Sequence, residues 1–229
     1  ELLAYILGLG DLRVGLASSR GLFFGTRQVS KTSGDNWASG RRILQNSSVD
    51  VAVIENSART LLHEGFAYDR CQVGVVTNLD PKETYPECMV FDDEQLFDAV
   101  RTQVDVVLPS GAAVLNADDP AVADMARLCD GEVIFFSRDS SSELIQAHLE
   151  AGGRAVLVEG HFIRFQKGTG GLSTVACLTM NHVDFLRDPA KAVDYAAVLG
   201  AAWALGVSPQ FICAAIESLV AEAFPHLVS

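Results

Sequence analysis

Apolar residues in this chain gather in short continuous blocks, most of them too brief for an amphipathic helix. Val14-Gly15-Leu16-Ala17 reads as a buried strand. Leu22-Phe23-Phe24 and Gln28-Val29 flank Gly25-Thr26, which predicts a hairpin. The run from Asp50 to Glu55 reads as a strand buried on both faces and ending in a carboxylate. Cys71 to Asn78 repeats that pattern and ends in an amide; Ala112 to Asn116 does so again. Glu132 to Phe136 is a further strand. Helical sequence separates these runs: one stretch follows the Gly34-Asp35-Asn36 turn to about Gln45, one links Glu55 to Cys71, and others cover Glu94 to Val107 and Pro120 to Cys129. Such alternation implies βαβ units and a parallel sheet.

The flanks complete the pattern. Leu2, Leu3, Ile6, Leu7 and Leu9 fit one helix face, ended by Gly8 and Gly10. Arg154 to Glu159 and His161 to Phe165 straddle Gly160 as an antiparallel pair, and Lys167 to Gly171 reads as a flexible connector. Ala190 to Leu205 is an Ala-rich helix, and a last helix to about Ala223 starts with Ser208 as cap and Pro209 in its first turn. The expected fold is a three-layer α/β module over 1–229, mainly parallel, with helices on both faces. The chain opens on Glu1 in what reads as mid-helix, so it is expected to be a piece of a longer protein.

A net charge of −12 with no Lys/Arg run disfavours nucleic acid and anionic membrane surfaces as partners. Five dispersed cysteines without C-x-x-C spacing argue for reduced thiols in a cytoplasmic setting and against structural zinc.

In open parallel sheets, ligands bind beyond the carboxyl ends of the strands. Glu55, Asn78 and Asn116 all fall there. A carboxylate in that position suits Mg²⁺ beside phosphates, and an amide can read an adenine edge. Each residue can equally cap the helix that follows it. Ser57 and Ser137 also follow strands, but neither lies in a G-x-S-x-G elbow. The five histidines are dispersed and read as surface or core residues; Trp37 and Trp203 read as packing. Asn181-His182-Val183-Asp184 offers polar groups in a loop.

Glu55-Asn56-Ser57-Ala58-Arg59-Thr60-Leu61-Leu62-His63-Glu64-Gly65, Tyr68 to Asn78, and Ala113-Val114-Leu115-Asn116-Ala117-Asp118-Asp119-Pro120 resemble cyanophycin synthetase. The matching part of that family is its C-terminal module, similar to the Mur ligases of peptidoglycan synthesis. The likeness extends to Gly34-Asp35-Asn36 and to Ala201 to Val207. It implies a Mur-ligase-central-domain-like, P-loop-type fold. It also implies ATP-dependent amide formation through an acyl phosphate, with ATP and Mg²⁺ as cofactors. Carried over by residue, Glu55 becomes a metal ligand, and Asn78, Asn116 and Asp119 line the adenine side. An ATP-grasp part of the same protein, the growing polymer or β-Asp-Arg dipeptides, and further copies of the chain become expected partners.

The departures from the family pattern point to a degenerate site. The family's P-loop falls before the helix that opens this chain, and its closing C-terminal domain falls after Leu227. The glycine pair expected soon after Glu55 is Arg59-Thr60, the Asp-His pair expected after Asn78 is replaced by Leu79 to Pro86 without His, and the expected Lys is Arg101. This matches the second type of cyanophycin synthetase, which joins ready-made β-Asp-Arg dipeptides and keeps its Mur-like module as scaffold. The alternatives are a working site that adds Arg to Asp side chains, and an adenine-nucleotide sensor using Asn116 and Asp119.

Overall fold

Continuous aliphatic runs become the central strands, and glycines admit the helices that cover them. The computed structural model describes residues 1–169, 174–179 and 189–219. Two compact units emerge: the first takes Glu1–Cys71 and Leu79–Thr102, and the second takes Gln72–Asn78 and the described residues from Gln103 onward.

The first unit holds α1 (Leu2–Leu9), β1 (Val14–Ser18), β2 (Gly21–Phe24), β3 (Arg27–Ser30), α2 (Trp37–Leu44), β4 (Val51–Ile54) and α3 (Ala58–Glu64). Its sheet runs β3-β2-β1-β4. β1 pairs in parallel with β4, and the predicted hairpin joins β2 to β3. Asn36 caps α2 by accepting from Ser39 N. Ile43 seats α2 over β1, where a Cβ at Gly15 would lie 2.5 Å from Ile43 Cγ2. Ala17, Leu22 and Ile43 make the core there, joined by Phe24, Val29, Val49 and Ala52. A second cluster packs α3 against α4 (Asp93–Val100) and the turn before it, through Leu62, Tyr85, Val90 and Leu96.

The second unit is built on a six-stranded sheet ordered β10-β9-β8-β7-β6-β5. These are β5 (Cys71–Val76), β6 (Val107–Asn116), β7 (Glu132–Ser137), β8 (Arg154–Glu159), β9 (Phe162–Lys167) and β10 (Thr174–Thr179). β6, β7 and β8 are parallel; β9 and β10 turn antiparallel. Residues Ala112 to Leu115 and Ile134 to Phe136 are buried, as a strand covered on both faces requires. Short helices α5 (Thr102–Asp105), α6 (Pro120–Asp124) and α7 (Glu143–Glu150) connect the strands. The Ala-rich α8 (Pro189–Ala204) lies on β6, β7 and β8. It lies so close that a Cβ at Gly200 would meet Val114 Cγ1 at 2.9 Å. α9 (Pro209–Glu217) begins as predicted, with Ser208 Oγ accepting from Phe211 N and Pro209 in the first turn.

Some expectations are revised. The strands divide between two sheets. Gly8 lies within α1, and Leu9, assigned to its apolar face, is exposed. β4 is half-buried along its length rather than closed in on both faces. The helix expected from Glu94 to Val107 breaks at Arg101, and β6 starts at Val107. Trp203 packs as expected, but Trp37 is exposed and lies under the Arg41 guanidinium at 5.1 Å. The last helix, expected to about Ala223, ends at Glu217 with Ser218 as its cap, and the Asn181 to Asp184 loop lies outside the described residues.

Candidate functional site

Each unit presents one set of strand-end groups. In the first, parallel pairing continues one step past β4, because Glu55 N donates to Ala17 O at 2.9 Å. That step places the Glu55 side chain beside Ser19, whose backbone N and Oγ both donate to Glu55 Oε2, at 3.0 and 3.2 Å. Ser18, just before, has a buried hydroxyl with no hydrogen-bond partner. After Glu55 the chain turns immediately into α3. Ser57 Oγ accepts from Thr60 N at 3.1 Å, the N-cap arrangement. Thr60 Oγ1 in turn donates to the Asp35 carbonyl at 2.7 Å. Arg59 projects from the first turn of α3, ion-paired to Glu87 Oε1 at 2.6 Å and stacked on the Tyr85 ring at 5.2 Å. Burial, together with the Glu83 carboxylate, pushes the Tyr85 phenol up to about 12.

These donors do not by themselves make a magnesium site. Mg²⁺ needs near-octahedral oxygen ligands and keeps several waters, one or two carboxylates and usually a phosphate. Here one exposed carboxylate is present, with one oxygen already accepting twice from Ser19. Among the described residues, no three His, Cys, Asp or Glu side chains are gathered to hold a metal.

In the second unit the polar ends of β5 and β6 meet. Asn116 Nδ2 donates to Thr77 O at 2.8 Å, and Asn116 Oδ1 accepts from Asp118 N at 2.9 Å. Asn78 is exposed, its Oδ1 accepting from Thr77 Oγ1. Asp119 caps α6, with Oδ1 accepting from Ala121 N and Val122 N. Asp118 accepts from Ser137 Oγ and from Arg138 N, and Arg138 Nε lies 3.6 Å from it. Ala117, Asp118, Arg138, Asp139 and Ser142 line a depression of about 420 Å³. The Ser141 hydroxyl and backbone hold Asp139 below the usual carboxylate range. Two carboxylates against one paired guanidinium make an unfavourable wall for a phosphate.

Of the four residues picked out in the sequence, three therefore share the ends of one sheet: Asn78, Asn116 and Asp119. Glu55 belongs to the other unit. Ser57 caps α3, and Ser137 Oγ donates to the Asp118 carboxylate. Sequence reading missed Ser19, Thr77 and Arg138; only Arg138, a cation directly after a buried strand, carried a signal.

No protein-family model matches the chain. In sequence it is 34% identical over 155 residues to the cyanophycin synthetase of Crocosphaera subtropica, covering 68% of this chain and 18% of that protein. It is 33% identical over 169 residues to the cyanophycin synthetase of Synechocystis sp., covering 74% and 19%. The matched region thus spans about a fifth of these curated relatives. In fold it resembles UDP-N-acetylmuramoyl-L-alanyl-D-glutamate–2,6-diaminopimelate ligase, at a TM-score of 0.65 and 15% identity over 96% of this chain and 43% of that one. It likewise resembles UDP-N-acetylmuramate:L-alanyl-gamma-D-glutamyl-meso-diaminopimelate ligase from Neisseria meningitides, at a TM-score of 0.59 and 17% identity over 96% and 61%. At those identities the structural likeness establishes the fold and nothing further. Among the described residues no helix is long and apolar enough to cross a membrane.

Proposed function

We propose that this chain, which belongs with one segment of the cyanophycin synthetases and has the Mur-ligase fold, is a structural module of an ATP-dependent amide ligase. The parent ligase makes an Asp/Arg storage polymer by joining β-Asp-Arg dipeptides. Its phosphoryl chemistry is carried out in an ATP-grasp part of the same protein, and this module serves as scaffold within a homo-oligomeric, cytoplasmic assembly.

The observation that carries this reading is the start of α3. A backbone that approaches a phosphate closely needs residues without side chains in the way. Where the family resemblance calls for a glycine pair, this chain has Arg59 and Thr60. Both side chains are fastened within the protein, Arg59 to Glu87 and Tyr85, and Thr60 to the Asp35 carbonyl. A ligand would have to displace an ion pair and a helix cap to reach the backbone there. ATP and Mg²⁺ would then act in the parent protein away from these residues, so no step of the reaction is assigned to them.

Glu55→Gln in the full-length protein tests this reading. Scaffold function predicts unchanged polymer formation from β-Asp-Arg dipeptides. Failure of the variant to add free Arg to poly-Asp, where the unaltered protein adds it, would instead establish a working second ligase site.

A further inference from the structure

Outside the strand ends, one cluster in the first unit joins a nucleophile to a base. His63 lies in the last turn of α3, and the 3₁₀ turn Pro86–Cys88 brings Cys88 against it. Cys88 Sγ is 3.3 Å from His63 Nε2, and Glu87 Oε1 is 3.7 Å from the same nitrogen. The turn is held firmly. Tyr85 and Val90 exchange backbone hydrogen bonds at 2.8 and 3.1 Å, and Cys88 N donates to Tyr85 O at 2.9 Å. Met89 closes the turn in the left-handed region, at φ 61°. One side of Cys88 packs on the Tyr85, Val90 and Leu96 core, so the thiol is only partly exposed.

Metal binding fits the cluster poorly. The Glu87 oxygen that would complete a ligand set already carries the Arg59 guanidinium at 2.6 Å, a cation where a metal ion would have to sit. A purely structural role is served by that ion pair and the Tyr85 anchor without any sulfur–imidazole contact. Thiol chemistry, by contrast, uses every member. An imidazole within hydrogen-bond reach can take a thiol proton. Glu87 Oε1, 3.7 Å from His63 Nε2, balances the imidazolium that results. The Glu87 carboxylate is itself held below its usual range, first by its own backbone N–H and then by Arg59 and His63. The charged groups at the thiol are His63 from α3 and Glu87 from the turn, with Arg59 paired to Glu87 and Glu83 bonded to the Tyr85 hydroxyl beyond them; α4 supplies the apolar Leu96 and Val100.

We propose that Cys88 is a reactive thiol whose proton passes to His63, making it a modification site for small electrophiles and peroxides. With hydrogen peroxide, the Cys88 sulfur attacks one oxygen, the S–O bond forms as the O–O bond breaks, and the departing hydroxide takes the proton held on His63. A sulfenic acid and water result. With iodoacetamide, a C–S bond forms, iodide leaves and the proton goes to solvent.

The test is timed labelling of the native chain with limiting iodoacetamide, read per cysteine by peptide mass spectrometry. Accessibility alone ranks the exposed Cys177 first. The proposal ranks Cys88 first. The buried Cys213, whose thiol burial pushes up to about 11, reports on folding by staying unlabelled. His63→Gln should slow Cys88 about tenfold, since a thiol without a paired base is only a few per cent thiolate near pH 7, and leave Cys177 unchanged. Dimedone should trap peroxide-treated Cys88 in the unaltered chain and not in His63→Gln. Slower labelling of Cys88 than of Cys177 in the unaltered chain overturns the proposal, as does an unchanged Cys88 rate in a variant that keeps Cys213 protected. If His63→Gln exposes Cys213, the ranking in the unaltered chain decides alone.

Discussion

Asn116 Nδ2 donates to the carbonyl oxygen of Thr77 at 2.8 Å, tying the carboxyl end of β6 to that of β5. The other end of the same amide receives Asp118 N and sets the loop that leads into α6. An amide placed to read a base edge is thus also the clasp of its own sheet. Asn116→Ala removes both hydrogen bonds and leaves a backbone carbonyl and an N–H to find water. We expect a loss of about 1–3 kcal/mol, at roughly 1 kcal/mol for each bond, read from urea unfolding. Asn116→Asp keeps the acceptor but sets a carboxylate against the Thr77 carbonyl, so it should be no more stable than the Ala variant.

Arg154 is the polar keystone of the second unit's sheet. Its Nε and Nη2 both donate to the Glu132 carboxylate at 2.6 Å, and Nη1 donates to Trp203 O near the end of α8 at 3.2 Å. Its guanidinium lies 4.8 Å from the Trp203 ring, which itself meets Phe165 edge-on. Arg154 is largely buried but Glu132 is half-exposed, so removing the guanidinium should cost less than the roughly 3–5 kcal/mol of a fully buried pair, and we expect about 1–3 kcal/mol for Arg154→Ala. Arg154→Lys should recover only a minor part, because an ammonium cannot make the paired contact or stack in the same way. Thermal unfolding of the two variants measures the difference.

Between pH 8 and 5, stability should follow His148. Burial lowers the pKa of this residue, opposed by the Arg154 carbonyl and the Glu132 charge. Its Nε2 lies 3.0 Å from Arg154 O, and its ring meets Phe135 edge-on at 4.9 Å. The unfolded chain therefore takes the proton first as pH falls. The stabilisation is fully present above the ordinary histidine value of about 6.5 and is lost as pH falls through the lower folded value. Urea midpoints at pH 8 and 5 should differ in the unaltered chain and differ less in His148→Gln. Carboxylates held low, such as Asp124 and Asp139, act further down in pH.

Local pattern sufficed wherever a run of aliphatics or a cap residue decided the backbone. β1, the β2–β3 hairpin, β7, the β8–β9 pair and the Ser208-Pro209 helix start are of this kind. It failed where short range was ambiguous. α7 has only two fully buried positions, Ile145 and Leu149, and β10 alternates weakly, so neither stood out. Val104 to Leu108 is apolar in either period; Pro109, which ends any helix there, marks the register that β6 adopts. The candidate site was legible as residue types at strand ends. Its partners were not, because Thr77 lies 39 positions from Asn116 and Arg138 lies 20 from Asp118. Whether a polar strand end faces a ligand or its own fold is decided by such distant pairs.

Calorimetric titration of the chain with Mg-ATP bears most directly on whether these strand ends serve the fold or a nucleotide. The account predicts no saturable heat up to about 1 mM, a binding free energy no better than roughly −4 kcal/mol. Saturation at lower concentration, abolished in Asn116→Ala while that variant stays folded, would contradict it and make the β5–β6 end a nucleotide site.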